Sequence, residues 1–160
     1  MTALVVAGAL ALAAVNALSG VLGATIWYRT GTSGVTAAQP RGARAFWLAL
    51  RVGQAAGLLF AVFVGVLAAA GKYSSEHLFY LYALLPLAVA FVAEQLRVVS
   101  AQTILDHHGL ENAAAVGELA ESEQHALVGA IVRREIGVMA LSALVVVFLA
   151  LRAAGTAHGF

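Results

Sequence analysis

The residues of this chain that could do chemistry lie near the ends of long apolar runs. The candidates for a ligand site or a gate are Arg51, Gln54, Glu94, Arg97, Arg133, Arg134 and Glu135. Each lies about one transmembrane length from the outer end of its own apolar run, so these side chains can share one depth in a bilayer. Because charge at that depth is costly unless it is paired or reaches water, we expect a layer of paired charges.

Glu94 is the residue of this layer that most needs a partner. Arg97 can pair with it at i,i+3 on one helix, whereas Arg51 or Arg134 would reach it from a neighbouring helix. A functional layer of this kind suits a gate, a site for a substrate carboxylate or a proton-linked glutamate. The alternative is a structural lock flanked by interfacial arginines, and the sequence leaves both open.

Other reactive groups are weakly represented. Asp106, His107 and His108 are metal-ligand types, but adjacent histidines on a helix point about 100° apart. A histidine pair at a helix C-terminus also interacts favourably with the helix dipole, so His107 and His108 are weak candidates and we expect no metal site. The chain has no cysteine, no G-x-S-x-G motif and no P-loop, so we assign no catalytic residue and expect no cofactor.

The elements that must position these residues are membrane-spanning helices. Of the 160 residues, 62% are hydrophobic and 11% are charged, whereas a soluble domain is nearer half apolar and a quarter charged. The formal net charge of +1 gives no indication of a nucleic-acid partner. We predict an all-α, polytopic membrane protein with four transmembrane helices in one domain, residues 1–160. The spans are expected at about 3–28, 45–70, 77–98 and 131–152.

Residues 106–125 are predicted to form a cytoplasmic segment between the third and fourth long helices, which extend towards it as a hairpin. This segment is acidic and mildly amphipathic, which favours a short surface helix. Gly109 fits the left-handed position after a helix end, and Leu110 could pack back on Leu105 as in a Schellman motif. The segment is also a candidate docking site for a protein partner.

Small residues recur on one face of each of the first two helices. The first face holds Ala9, Ala13, Asn16, Gly20 and Ala24, and the second holds Gly53, Gly57, Ala61, Gly65 and Ala69. Such faces allow close helix approach, so we expect the two helices to pack together, with Asn16 as a packing residue that hydrogen-bonds across the contact. Small-residue faces on a bundle of only four spans also favour a homo-oligomer in the lipid bilayer.

The distribution of basic residues predicts the orientation. The first connection carries Arg29, Arg41 and Arg44, and the third is flanked by Arg97, Arg133 and Arg134, whereas Lys72 and Arg152 stand alone at the opposite side. The positive-inside rule therefore places both termini outside. We expect a multi-pass protein of the plasma membrane.

The second helix reads Arg51-Val-Gly-Gln54-Ala-Ala-Gly57, and arginines follow at Arg97 and at Arg133 or Arg134 on the later helices. This placement is similar to the R-x-x-N-x-x-E pattern and the arginines of the membrane-associated eicosanoid and glutathione metabolism proteins. Gln54 and Gly57 stand where that family has Asn and Glu. The resemblance implies a four-helix fold, trimeric where known, with glutathione bound near the cytoplasmic side and a lipophilic substrate.

Three classes of function therefore remain open. The first is an oligomeric channel- or transporter-type protein whose Arg/Glu layer forms a filter or gate at the cytoplasmic side. The second is a non-catalytic membrane subunit or adaptor that docks a partner through residues 106–125. The third is a membrane-embedded enzyme of the glutathione-dependent kind.

Overall fold

The computed structural model describes residues 1–32, 40–110 and 113–160. Its helices are α1 (Thr2–Thr32), α2 (Ala43–Ala69), α3 (His77–His107), α4 (Ala113–Val116) and α5 (Glu121–Thr156). Four helices of the described chain, α1, α2, α3 and α5, are long and apolar enough to cross a membrane. The chain is a small integral membrane protein with a four-helix bundle, as its composition predicts.

The four long helices pack in chain order around the bundle. α1 packs against α2 and α5, and α3 packs against α2 and α5, so the last helix closes on the first. The chain ends meet at one end, where Thr2 Oγ1 donates a hydrogen bond to the Phe160 carbonyl at 3.4 Å. The turn between α2 and α3 lies there too, because the Ser75 amide donates to the His158 carbonyl at 2.9 Å. We call this the termini end, and the opposite end, which carries Arg51, the charged end.

The helices α3 and α5 are longer than their predicted spans, 77–98 and 131–152, and extend beyond the charged end as a hairpin. The predicted Schellman motif is present at the end of α3, where Gly109 has φ 69° and the Leu110 amide donates to the Leu105 carbonyl at 3.0 Å. Of the predicted surface helix, the structure describes a single turn, α4. Glu111 and Asn112, which belong to the predicted docking segment 106–125, lie outside the described residues.

Two apolar clusters fill the bundle, one in each half. The cluster at the termini end is built around Val5, Leu12, Phe60, Val64, Phe79 and Ala150. The cluster at the charged end is built around Ile26, Phe46, Leu50, Ala93, Ile136 and Met139. Phe160 joins the first cluster, with its ring 5.0 Å from that of Phe79. Since both clusters draw on several helices, each seals the bundle at its own depth.

The small-residue face predicted on α2 is confirmed in its first half. Gly53 packs on Asn16 and Gly57 on Leu12, both on α1. Ala61 is also buried, but Gly65 and Ala69 are exposed, so the prediction was wrong for the last two positions. The reason is geometric: each four-residue step turns about 40° past a full rotation of a 3.6-residue helix, and the face drifts off the contact.

On α1 the predicted face drifts in the same way, and a second interface takes over. Ala24 is exposed, whereas Gly23 is buried between Phe46 of α2 and Ala140 of α5. A Cβ on Gly20 would lie 2.6 Å from Leu144 of α5. The closest approach of α1 is therefore shared between α2 and α5.

Candidate functional site

Glu94 of α3 stands at the centre of a cluster of side chains at the charged end. Its Oε1 accepts a hydrogen bond from Arg51 Nη1 of α2 at 2.7 Å and another from Gln54 Nε2 at 3.1 Å. The same Arg51 nitrogen lies 2.7 Å from Gln54 Oε1. Glu94, Arg51 and Gln54 therefore form a closed triangle of hydrogen bonds that joins α2 to α3.

Arg97 completes this cluster from the next turn of α3. Its Nε lies 3.2 Å from Glu94 Oε2, so both carboxylate oxygens have an arginine partner. The Arg97 guanidinium also lies 5.5 Å from the centre of the Trp47 ring, a cation–π contact that fixes its position. The side chains of Glu94 and Arg97 are 27% and 29% exposed, whereas Arg51 is 53% exposed. We call Arg51, Gln54, Glu94 and Arg97 the Glu94 cluster.

The Glu94 cluster lies at the depth of a membrane interface. Eighteen residues of α3 separate Glu94 from Glu76 at the termini end, a distance of about 27 Å at a rise of ~1.5 Å per residue. That distance is close to the ~30 Å thickness of the hydrocarbon core. The tryptophan side chain of Trp47 at the same level is typical of an interfacial belt. The cluster is therefore placed where water and hydrocarbon meet.

The other charged residues of the predicted layer have different surroundings. Arg133 of α5 turns to α1, where its Nε donates to the Trp27 carbonyl at 3.3 Å and its guanidinium lies 4.7 Å from the Trp27 ring centre. Glu135 is half-buried within electrostatic range of Arg97 and Glu94. Arg134 is exposed and forms no salt bridge within the described residues. Of the two predicted cross-helix partners of Glu94, it is Arg51 that makes the contact.

A small cavity with polar side chains in its wall lies inside the bundle below the Glu94 cluster. Its volume is about 20 Å³, and a space of that size holds one water molecule. Every long helix contributes to its wall: Asn16 from α1, Gln54 from α2, Pro86 from α3 and Ser142 from α5. Asn16 lies eleven residues from Trp27, about 16 Å, which places the cavity near the middle of the membrane. We call it the central cavity.

Asn16 packs as predicted, but its hydrogen bond differs from the prediction. Its side chain is 3% exposed and packs on Gly53 of α2, as expected for a packing residue. However, its amide nitrogen donates to the Leu12 carbonyl of its own helix at 2.9 Å, not across the helix contact. Gly53 offers no side-chain partner, and the carbonyl four residues earlier on α1 accepts the side-chain amide with its second lone pair, in addition to the helical backbone hydrogen bond. The amide group is thereby oriented into the wall of the central cavity.

Gln54 connects the Glu94 cluster to the central cavity. One side chain both lines the cavity and hydrogen-bonds to Arg51 and Glu94. The apolar residues Leu50 and Ala143 stand beside it in the cavity wall and belong to the apolar cluster of the charged end. The central cavity is thus covered on its charged side by Gln54 and the salt bridge above it.

Sequence reasoning missed the central cavity and the aromatic partners of the arginines. A usable signal for the cavity was present: each of Asn16, Gln54 and Ser142 is an isolated polar residue within an apolar run. The helix rotations that turn all three inward are not readable from one sequence. The same holds for the contacts of Arg97 with Trp47 and of Arg133 with Trp27, which depend on the same rotations.

The weak metal candidates lie at the end of α3. The rings of His107 and His108 are 5.8 Å apart, and His108 Nδ1 lies 2.9 Å from the Ile104 carbonyl oxygen, a contact that caps the helix end. The described residues contain no group of three or more histidine, aspartate or glutamate side chains placed to hold a metal ion.

The positions that resemble the glutathione-binding family are engaged within the chain. Arg51 and Gln54 bind Glu94, and Gly57 is buried against Leu12 of α1. Comparison with protein-family models, with curated proteins and with solved structures finds no match to this chain.

Proposed function

We propose that this protein provides a pathway across the membrane for a small polar solute or ion, and that the Glu94 cluster is its gate. The observation that carries the proposal is the double role of Gln54, which lines the central cavity and is bound by Arg51 and Glu94. Polar side chains in the wall of a mid-membrane cavity are costly in a bundle that serves structure alone, because apolar side chains would fill the same space at lower free energy.

In this proposal, the arrangement described above corresponds to the closed state of the pathway. A cavity of about 20 Å³ admits one water, and an apolar cluster lies on each side of it along the bundle. Opening requires the side chains around Gln54 to move apart. Asn16, Gln54 and Ser142 then offer amide and hydroxyl groups to a solute that has lost part of its hydration shell.

The helix pair α2 and α3 is the place where the bundle opens. Among the four neighbouring helix pairs, α2 and α3 share the least extensive packing. The contact between Arg51 and Glu94 crosses this pair. A switch built on this interface has few apolar contacts to break, so the salt bridge sets much of the free-energy difference between the closed and open states. By the positive-inside rule, the charged end with its gate faces the cytoplasm, and both termini lie outside.

The proposal is tested by flux into liposomes that contain the purified protein. Glu94→Gln weakens the bonds to Arg51 and Arg97 and should raise the flux. Glu76→Gln is the matched control, because Glu76 is an exposed glutamate next to the other end of the same helix. Equal flux through both variants would contradict a gate at Glu94.

A second candidate function, an adaptor, is favoured by a groove at the tip of the α3–α5 hairpin. The groove has a volume of about 400 Å³ and an apolar wall that includes Leu110, Leu119 and Leu127, with His108 and Glu123 beside it. An apolar groove with a charged rim suits a short amphipathic segment of a partner protein. Pull-down of a partner by the intact protein, lost on deletion of residues 110–121, would favour this function over the pathway.

A further inference from the structure

A second groove runs along the outside of the bundle between α3 and α5. Its wall is formed by Leu85, Val92 and Leu96 of α3 and by Val138, Leu141 and Val145 of α5. The groove has a volume of about 400 Å³, and its lining is almost entirely apolar. Leu96 and Leu141 are 50% and 64% exposed, so the groove opens to the surroundings of the bundle. In a membrane-spanning chain those surroundings are lipid.

An arginine lies on the same face of α5 as this groove. Arg134, Val138, Leu141 and Val145 follow one another in steps of four, three and four residues, which is the spacing of one helical stripe. Arg134 is exposed and forms no salt bridge in the part of the chain that the structure describes. Its two neighbours in the charged layer, Arg97 and Arg133, are held by Glu94 and by Trp27. Arg134 is therefore placed to bind an anion from outside the chain.

The dimensions of the stripe fit one leaflet of a bilayer. Eleven residues separate Arg134 from Val145, about 16 Å along the helix, and one leaflet contributes roughly half of the ~30 Å hydrocarbon thickness. At the far end of the span, Arg152 lies eighteen residues from Arg134, about 27 Å, and so stands at the opposite interface. A headgroup at Arg134 would thus lie at interface depth while its acyl chain reaches the middle of the membrane.

We propose that the groove between α3 and α5 binds one anionic phospholipid, with an acyl chain along Val138, Leu141 and Val145 and the headgroup phosphate at Arg134. Arginine binds phosphate through two parallel charge-assisted hydrogen bonds, and basic pockets between transmembrane helices bind anionic headgroups. A zwitterionic phospholipid brings its own cation to the phosphate and gains less from Arg134. The site is separate from the Glu94 cluster and does not depend on the pathway.

The test is native mass spectrometry of the delipidated full chain in mild detergent. The protein is titrated with phosphatidylglycerol and, separately, with phosphatidylcholine of the same acyl chains. We expect the first phosphatidylglycerol to bind with a dissociation constant about tenfold lower than that of phosphatidylcholine. A factor of this size is what one charge-assisted hydrogen bond contributes to binding. Arg134→Gln should remove this preference, and Arg152→Gln, the matched control on the same helix, should keep it.

A second variant tests the acyl-chain part of the site. Ala88 lines the groove on α3 and is exposed, so Ala88→Trp should fill the groove and weaken the binding of both lipids. Leu58→Trp, on the exposed face of α2, is the control for added bulk. A phosphatidylglycerol preference that survives Arg134→Gln would overturn the proposal. A second result would also overturn it: the unmodified protein shows the mass of a dimer, and Ala88→Trp abolishes that dimer but leaves lipid binding unchanged. A second copy of the chain would then occupy the groove.

Discussion

Arg51 Nη1 of α2 lies 2.7 Å from Glu94 Oε1 of α3, and this contact crosses the least extensively packed pair of neighbouring helices in the bundle. Glu94 is bound again by Arg97 through its other oxygen, at 3.2 Å. Two arginines on one carboxylate at an interface form a strong but reversible link, because water is close enough to solvate the charges when they separate.

The first prediction concerns the stability that this link provides. Glu94→Gln should lower the free energy of unfolding by about 1–2 kcal/mol, since it weakens two charge-assisted contacts of partly exposed side chains. The melting temperature in detergent, followed by tryptophan fluorescence, should fall by roughly 2–8 °C. Glu76→Gln should melt like the unmodified protein. An unchanged melting temperature for Glu94→Gln would show that the contact does not stabilise the bundle.

The second prediction concerns helix packing. Gly23→Ala places a methyl group 2.6 Å from Phe46 and 2.7 Å from the Cβ of Ala140, and the latter cannot rotate away. We expect a loss of about 1–3 kcal/mol. Gly65→Ala is the matched control, because nothing lies within 4 Å of its added methyl group. It should be neutral or stabilising by about 0.5–1 kcal/mol, as alanine favours helix. The melting temperatures of the two variants check both expectations. Equal melting temperatures for Gly23→Ala and Gly65→Ala would contradict the close approach of the helices at Gly23.

The four spans could be predicted from the sequence because apolar length alone selects membrane-spanning helices. The pairing of Glu94 with Arg97 was also predictable, since residues three apart on a helix are neighbours. The sequence did not show that Glu94 would pair across helices with Arg51 and not with Arg134, because this depends on how α2 and α5 rotate about their axes. Those rotations follow from contacts such as Gly23 on Ala140, which join residues far apart in the sequence.

The small-residue face of α2 was also predictable only in part. Gly53 and Gly57 were placed correctly, and the drift of a four-residue spacing around the helix explains why Gly65 leaves the contact, but the sequence does not show at which residue the contact ends. Asn16 was expected to pack in the contact between the first two helices and to hydrogen-bond across it. It packs on Gly53, yet its hydrogen bond goes to Leu12 of its own helix. Local acceptors compete with distant ones, and a sequence does not show which is nearer.

The third prediction concerns the route of the pathway. Asn16→Leu should fill the central cavity with an apolar side chain and block passage, so the double variant Asn16→Leu/Glu94→Gln should lose the raised flux of Glu94→Gln. The control is Ser19→Ala in the same background. Ser19 is fully buried and bonds to carbonyls of its own helix, and it does not line the cavity. Flux that stays high in the Asn16→Leu double variant would mean that the pathway does not run through the central cavity.

The central claim, that the Glu94 cluster gates a pathway, is tested most directly by flux measurements in liposomes. Liposomes with the unmodified protein, Glu94→Gln or Glu76→Gln are compared with protein-free liposomes for protons, potassium ions and a small neutral solute. We predict that Glu94→Gln raises the flux of at least one of these by about fivefold or more, the factor that ~1 kcal/mol gives, while Glu76→Gln does not. Flux no greater than in protein-free liposomes for every variant and every solute would contradict the claim.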